Sequence, residues 1–164
     1  SGKGSNLYSK GMRSARRLLP VVSVLTLAVL LSGCSKEDTD GISTTHVTFP
    51  NGKTIVVEIE RKTAELMKGM MFRDSLAEDH GMLFVNPKED VYSYWMYQTR
   101  IPLDIIWMDH DRRIVEISAD TPPCKTEATQ CPKYGGTEKS SYVLEINAGQ
   151  AAKNGLKVGD VLQY

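Results

Sequence analysis

Short runs of β-branched and apolar residues, separated by turns of only a few residues, limit most strongly how this chain can fold. Residues 45–49 and 54–60 are two such runs, and Asn51-Gly52 between them is a strong signal for a two-residue β-hairpin turn. Six further runs of strand length lie at residues 81–85, 91–97, 105–108, 113–117, 142–146 and 161–164. The sequence therefore predicts about eight short strands.

Two segments between these runs have the pattern of short helices. Thr63 is a candidate N-cap for residues 64–71, whose apolar side chains share one helical face, and residues 148–155 form the second segment. The connections between the strands look too short for parallel crossovers. We therefore expect a mainly β (α+β) domain, an antiparallel β-sandwich or barrel with two short helices.

The amino-terminal segment has the order of a secretory signal. From Met12 it runs through three arginines to an apolar stretch at residues 18–31, about 14 residues, short of the roughly 20 that a spanning helix needs. Leu31-Ser32-Gly33-Cys34 then resembles the lipobox of bacterial lipoproteins, in which diacylglycerol is attached to the cysteine thiol. The alternative is an ordinary signal peptide with a chance cysteine at its end.

The domain boundaries follow from this interpretation. We expect residues 1–11 to be a misassigned start or a cloning remnant, residues 12–33 a lipoprotein signal peptide, residues 34–43 the lipidated cysteine and a flexible tether, and residues 44–164 a single β-rich domain. In lipoproteins of double-membraned bacteria, Asp directly after the lipidated cysteine favours retention at the inner membrane. Ser35 stands there. The predicted location is the cell envelope, lipid-anchored at the outer membrane and facing the periplasm.

The charge of the mature part argues against nucleic acid as a partner. Residues 1–33 contain five of the 20 basic residues and none of the 20 acidic ones. The remainder carries 15 basic against 20 acidic residues, a net charge of −5. Because phosphate binding needs a basic stripe, the predicted partners are the membrane, through the lipid anchor, and a glycan or protein ligand.

The three cysteines divide into one for lipid and a pair. With Cys34 assigned to lipid, Cys124 and Cys131 remain in a loop-like, proline-flanked stretch, and a disulfide between them suits an oxidising compartment. A metal site is the rival interpretation, but no histidine lies nearby and two thiolates fill only half of a tetrahedral site. The six-residue spacing does not match a thioredoxin-like redox pair.

Several motifs in order carry a family resemblance. They are Lys68-Gly69-Met70-Met71-Phe72-Arg73, Gly81-Met82-Leu83-Phe84, Trp95-Met96, Ile101-Pro102-Leu103-Asp104, Tyr142-Val143-Leu144-Glu145-Ile146-Asn147-Ala148-Gly149 and Gly159-Asp160. This set resembles the family catalogued as domain of unknown function 192, over residues 45–164. The family's usual Trp-Met-Lys-Asn-Thr stands here as Trp95-Met96-Tyr97-Gln98-Thr99, without the lysine. The resemblance implies a compact β-rich fold of jelly-roll or barrel type, often exported, and no established reaction.

Four residues are candidates for a ligand or functional cleft: Arg73, Trp95, Asp104 and Glu145. Asp104 begins an apolar strand, where a buried carboxylate needs a partner, and Arg73 is the partner that we expect. Glu145 stands between two apolar residues and could simply point to solvent. The alternative is catalysis by Asp104 and Glu145 as paired carboxylates, the pattern of glycosidases.

The side chains of the aromatic stretch 92–97 should point alternately to the two faces of a strand. Tyr92, Tyr94 and Met96 then face one side, and Trp95 faces the other. One interpretation is a ligand platform for a sugar or an extended peptide. The other is that Trp95 fills the core and the tyrosines lie at its edge.

Methionine is frequent in the mature chain, and its thioether is a soft metal ligand. The six methionines are Met67, Met70, Met71, Met82, Met96 and Met108, and the histidines are His46, His80 and His110. Methionine is also an adaptable core residue, so we predict no metal or other cofactor and keep periplasmic copper handling as an alternative. The sequence favours a non-catalytic binding or accessory module of the envelope, with a hydrolase of envelope polysaccharide as the other alternative.

Overall fold

The computed structural model describes residues 42–164, which belong to one compact unit, Asp38–Tyr164. The predictions for residues 1–11, for the signal peptide at 12–33, for lipid at Cys34 and for the tether up to residue 41 concern residues outside that range. Within residues 42–164, no helix has the length and hydropathy needed to cross a bilayer.

Six strands and two short helices make up the domain, which confirms the predicted mainly β (α+β) class. The strands are β1 (Thr44–Thr48), β2 (Thr54–Glu60), β3 (His80–Trp95), β4 (Leu103–Met108), β5 (Ile114–Thr121) and β6 (Lys133–Asn147). The helices are α1 (Thr63–Lys68) and α2 (Gln150–Lys153), and a 3-10 turn lies at Ala128–Gln130. The predicted strands at 81–85 and 91–97 are one strand, β3, interrupted only by register shifts, because a bulge bends a strand without ending it. The predicted strand at 161–164 makes only isolated bridges.

The strands form one open mixed sheet in the order β1-β2-β3-β6-β4-β5, not closed into a barrel. Four of the five neighbouring pairs are antiparallel, as expected. The structure differs from the expectation at one pair, since β2 and β3 run parallel. The chain between them, residues 61–79, contains α1 and is long enough for a parallel crossover. The expectation that no connection is long enough for one is therefore wrong at this pair.

Both faces of this sheet are covered by buried side chains. Along β4, Leu103, Ile105 and Trp107 belong to one core, and Ile106 and Met108 belong to the other. Since successive side chains of a strand point to opposite faces, the two cores lie on the two sides of the sheet. We call the side with Leu103, Ile105 and Trp107, which also holds Met70 just after α1, the α1 face. The side with Ile106 and Met108, which also holds Ala151 of α2, is the α2 face.

The buried residues of both cores that the structure describes lie in one compact unit, Asp38–Tyr164. Residues 42–164, called the soluble domain below, are therefore expected to fold as a unit.

Cys124 and Cys131 form the predicted disulfide, with 5.7 Å between their Cα atoms. The bond encloses the 3-10 turn at Ala128–Gln130, in the connection between β5 and β6. Closing so short a loop restrains the unfolded chain and the connection itself. It also attaches this connection to the end of β3, because the N–H of Cys124 donates to the carbonyl of Met96 at 3.1 Å.

Asp104 on β4 is fully buried on the α2 face, where its carboxylate ties three elements together. The backbone N–H of Asp120 donates to Oδ1 at 2.8 Å, and the backbone N–H of Ala151 donates to Oδ2 at 2.7 Å. Asp120 lies where the β4–β5 register skips from Ser118 to Thr121, so its N–H is a bulge donor without a ladder partner. Asp104 thus connects β4 to the bulge of β5 and to α2.

The close approach of β6 to Trp107 gives the first testable prediction. Gly135 has φ of 68°, and a Cβ there would lie 2.2 Å from the Trp107 ring. Gly155 has nearly the same φ, 67°, with no atom within 4 Å of the same position. We expect Gly135→Ala to lower the free energy of unfolding of the soluble domain by about 2 kcal/mol more than Gly155→Ala, in urea denaturation. Equal losses would show that the contact with Trp107 imposes no restriction.

The second prediction concerns the carboxylate of Asp104. Asp104→Asn replaces one acceptor oxygen by an NH₂ group that must face a backbone donor, so we expect it to lower the free energy of unfolding by about 3 kcal/mol. Asp111→Asn makes the same change on a side chain that is 70% exposed, with an expected effect below about 0.5 kcal/mol. Urea denaturation of both variants tests this, and similar values would refute the connecting role of Asp104.

Candidate functional site

A row of side chains crosses the α1 face from strand to strand. Paired positions across the sheet run from Glu58 on β2 to Met82 on β3, Glu145 on β6 and Ile105 on β4. Residues directly opposite each other on neighbouring strands share a face. Two carboxylates, Glu58 and Glu145, therefore point to the side that α1 covers, about 10 Å apart by strand spacing.

Arg73, in the segment between α1 and β3, is paired with Glu58. Its two terminal nitrogens donate to the two carboxylate oxygens of Glu58 at 2.6 and 2.5 Å, a bidentate and partly buried contact. The hydrogen bonds from Arg73 lower the pKa of Glu58, against the opposing effect of its burial. The predicted Arg73–Asp104 pair is wrong, because Asp104 is held by backbone N–H groups on the other face.

The two candidate catalytic carboxylates do not meet. Glu145 is paired across the sheet with Ile105, and Asp104, the next residue along β4, must point the opposite way. Asp104 lies on the α2 face and Glu145 on the α1 face, with the sheet between them. A paired-carboxylate hydrolase built on these two residues therefore lacks the geometry that it requires.

Glu145 is one of four side chains in residues 42–164 with a buried polar atom that lacks a hydrogen-bond partner, together with Asn86, Ser140 and Tyr164. Its side chain is buried with the residue only 5% exposed, and Oε2 has no hydrogen-bond partner among residues 42–164. Burial raises the pKa of this carboxyl to about 8, and the positive charge of Arg73 opposes that shift only in part. At neutral pH the carboxyl consequently holds a proton and is both a donor and an acceptor. The sequence interpretation that Glu145 points to solvent is wrong.

A small pocket opens beside Glu145, and we call it the Glu145 pocket. Its volume is about 30 Å³, and its walls include Met67, Met70, Met71, Tyr94 and Trp95. This space accepts one or two water-sized groups, such as a hydroxyl, and excludes a ring.

A larger cleft of about 400 Å³ adjoins the Glu145 pocket, and Lys68 and Gly69 line both. The charged side chains of Glu58 and Arg73 form part of the wall of the cleft. A Cβ on Gly69 would lie 3.1 Å from the Phe84 ring and 3.9 Å from Oε2 of Glu145, so the bare backbone forms the boundary. The cleft has the size of a small-molecule site, and the Glu145 pocket lies next to it.

Trp95 stands at the edge of the Glu145 pocket, with 38% of its surface exposed. Its ring lies 5.4 Å from that of Tyr97, tilted by 40°. The predicted alternation holds, because Tyr94 and Met96 pack in the core on the other side of the strand. The interpretation that Trp95 fills the core is wrong, and Trp107 occupies that role.

The methionines divide between the cores and the pocket. Met82, Met96 and Met108 are fully buried, while Met67, Met70 and Met71 line the Glu145 pocket. In the described part of the chain, no group of three or more His, Cys, Asp or Glu residues could hold a metal ion. Met67, Met70 and Met71 are the methionines that line one pocket together.

Glu58 is the site residue that the sequence did not single out. It lies in an alternating strand in which the polar positions would ordinarily face water. The pairing of Glu58 with Arg73 depends on the parallel crossover, so no pattern of neighbouring residues in the sequence predicts it. Of the four residues proposed for the cleft, Trp95 and Glu145 line the Glu145 pocket, Arg73 lines the adjoining larger cleft, and Asp104 lies on the α2 face.

The raised pKa of Glu145 predicts how the stability changes with pH. An unfolded glutamic acid has a pKa of about 4.5, so from there up to the folded value of about 8 the folded state holds a proton that the unfolded state has lost. Stability is therefore fully present below pH 4.5 and falls as the pH rises towards 8, by an amount on the order of 5 kcal/mol. We expect Glu145→Gln to remove this decline, measured by urea denaturation at pH 5, 6.5 and 8.

Glu138→Gln is the matched control for that experiment. It makes the same change on an exposed position of β6, so its pH dependence should run parallel to that of the unchanged domain. Groups other than Glu145 contribute equally to all three proteins and cancel in the difference. A decline in Glu145→Gln as steep as in the unchanged domain would contradict the assignment.

Two solved structures resemble this chain over about three quarters of its length. A search of curated proteins finds no relative with significant similarity. A solved protein of unknown function from Novosphingobium aromaticivorans is 35% identical, with a TM-score of 0.67 over 77% of this chain and 89% of that one. A second, from Sinorhizobium meliloti, described as a "putative transcription regulator", is 30% identical, with a TM-score of 0.64 over 75% of this chain and 96% of that one.

The family comparison covers the domain from β1 to the end of the chain. The model described as DUF192, "Uncharacterized ACR, COG1430", matches residues 46–164, in agreement with the resemblance carried by the sequence motifs. The chain belongs to the DUF192 family.

Proposed function

We propose that this protein is a non-catalytic binding module of the bacterial envelope, anchored by lipid at Cys34, and that it binds a glycan at the cleft beside α1. The observation that carries the proposal is the buried carboxyl of Glu145, whose Oε2 lacks a partner in the described residues while a pocket opens beside it. An unsatisfied buried polar atom costs about 1–3 kcal/mol. A ligand hydroxyl that reaches the Glu145 pocket would recover that free energy.

The protonation of Glu145 suits a hydroxyl ligand. A carboxyl with a pKa of about 8 is neutral at pH 7, so it presents one O–H donor and one carbonyl acceptor. A sugar hydroxyl presents the same two functions. A cation would instead require the ionised form, which burial disfavours here.

The aromatic pair Trp95 and Tyr97 supplies the second half of a sugar site. Trp95 lies at the pocket and the half-buried Tyr97 ring adjoins it, so the C–H face of a pyranose can pack against this pair. The ring of the sugar would lie at Trp95 or in the 400 Å³ cleft, and only a hydroxyl would enter the Glu145 pocket.

Binding is favoured over hydrolysis and over nucleic-acid recognition. Asp104, the expected catalytic partner of Glu145, lies on the opposite face, and Glu58 is engaged by Arg73. The name of the Sinorhizobium meliloti relative belongs to that protein. In this chain, the net charge of −5 after residue 33 argues against binding to phosphate backbones.

The proposal is tested by titrating the soluble domain with a disaccharide of N-acetylglucosamine and N-acetylmuramic acid and with a neutral gluco-oligosaccharide. Tryptophan fluorescence reports binding, because Trp95 is exposed and Trp107 is fully buried. We expect saturable binding of at least one sugar, measured for the variants by calorimetry. Trp95→Ala and Glu145→Met should each weaken it about tenfold, equivalent to about 1.4 kcal/mol.

Val158→Ala is the control, since it shortens an exposed apolar side chain in the loop after α2. It should bind like the unchanged domain. Absence of binding to both sugars, or binding that survives both site substitutions, would refute the glycan proposal.

A further inference from the structure

The exposed apolar side chains of the described residues are not evenly distributed. There are seven large ones, and four of them, Ile42, Met67, Phe72 and Trp95, lie around α1. Ile42 lines the larger cleft and Met67 and Trp95 line the Glu145 pocket, while Lys68 and Gly69 belong to both. Phe72 adjoins them, since its N–H donates to the carbonyl of Gln98 at 2.9 Å. We call these four side chains the α1 patch.

The backbone holds Phe72 outward at a cost. Phe72 has φ of 65° and Gln98 has φ of 56°, both in the left-handed region that disfavours side chains with a Cβ. In spite of this conformation, Phe72 remains 53% exposed, and Met67 is 69% exposed. The guanidinium of Arg100 lies 6.0 Å from the centre of the Phe72 ring, and the exposed parts of Phe72 and Met67 are available for a contact outside the domain.

The position of the anchor identifies the occupant of the patch. Ile42, a member of the patch, is eight residues from Cys34 in the sequence, so the chain between them spans at most about 28 Å. An acyl chain at Cys34 would hold this side of the domain, more closely than any other, against the surface in which the chain is embedded.

The charges around the patch are compatible with a lipid surface. Arg61 and Lys68, which line the cleft, make no ion pair with any described residue, whereas Arg100 is paired with Asp74. Three glutamates also line the cleft: Glu58 is paired with Arg73, Glu65 is paired with Lys62, and burial raises the pKa of Glu60. The apolar side chains would supply most of the attraction and the two cations a smaller part.

We propose that the α1 patch is a membrane-docking surface, through which the domain lies on the bilayer that holds its lipid anchor. Met67 and Phe72 enter the interfacial layer, and Trp95 stands at the level of the headgroups, where its amphipathic ring is favoured. This inference rests on the anchored location proposed above. It also deepens the glycan proposal, because the site would then open towards the headgroup layer, and the sugar would be that of a membrane glycolipid.

The test couples the domain to a bilayer chemically, so that it does not depend on lipidation in a cell. With Cys124 and Cys131 in their disulfide, Cys34 is the single free thiol of a protein that begins there. A maleimide phospholipid attaches Cys34 to phosphatidylcholine vesicles that contain 20% phosphatidylglycerol and brominated acyl chains. Bromine quenches tryptophan only at close range, and Trp95→Phe gives the background from Trp107.

We expect the fluorescence of Trp95 to be quenched by at least a third in these vesicles. The double variant Met67→Ser, Phe72→Ser should lose most of this quenching. The double variant Val158→Ser, Val161→Ser should keep the quenching. It changes two side chains outside the patch that are 61% and 40% exposed. Thermal denaturation of the free domains checks that both variants are folded.

No quenching of Trp95 in the unchanged protein, or equal quenching in the two double variants, would overturn the docking proposal. The sugar titration is done on the free domain without vesicles, so its result stands separately. A domain that binds the disaccharide and is not quenched retains the glycan site and has no docking surface. A domain that is quenched and binds no sugar has the docking surface and lacks the glycan site.

Discussion

The central strands of this domain have no side that faces water, and most of the structure follows from that constraint. All six residues of β4 are buried, and so are the four residues 143–146 of β6. A polar side chain on such a strand must find its hydrogen bonds inside the protein or go without them. Asp104 and Glu145 are the two carboxyl groups placed under this requirement, and they meet it in opposite ways. The first binds two backbone N–H groups and secures α2 and the bulge of β5, whereas the second keeps an oxygen unpaired beside a pocket.

The parallel pair β2–β3 determines where that pocket lies. A parallel pair needs a crossover, and the crossover carries α1 and Arg73 over one side of the sheet. Arg73 is held there by the bidentate contact with Glu58, so the segment that forms the walls of the cleft is attached to the strand that precedes it. The short side chains of this segment matter as much as the charged ones, since Gly69 allows the backbone to pass close to Phe84 and Glu145.

The sequence predicts the local elements well and the long-range partners poorly. The β1–β2 hairpin, the class of the domain, the Cys124–Cys131 disulfide and the family follow from neighbouring residues and motif order, and each is found in the structure. The turn of the hairpin consists of Pro50-Asn51-Gly52, one residue longer than the predicted two-residue turn at Asn51-Gly52. The partner of Arg73 and the orientation of Glu145 depend on which strands become neighbours. The parallel connection between β2 and β3 determines which strands become neighbours, whereas the sequence predicted only antiparallel connections. Three of the four proposed cleft residues are brought together, although the pairing expected between Arg73 and Asp104 is absent.

The unpaired oxygen of Glu145 also has a meaning in terms of selection. Mutation supplies apolar residues at a buried strand position readily, and any of them would avoid the cost of a buried polar atom without a partner. A chain selected only for staying folded would drift towards such a residue. A carboxyl at position 145 therefore costs stability that an apolar residue would not cost. Position 145 is where divergence among relatives is most informative, since leucine there would argue against a role of this carboxyl in binding.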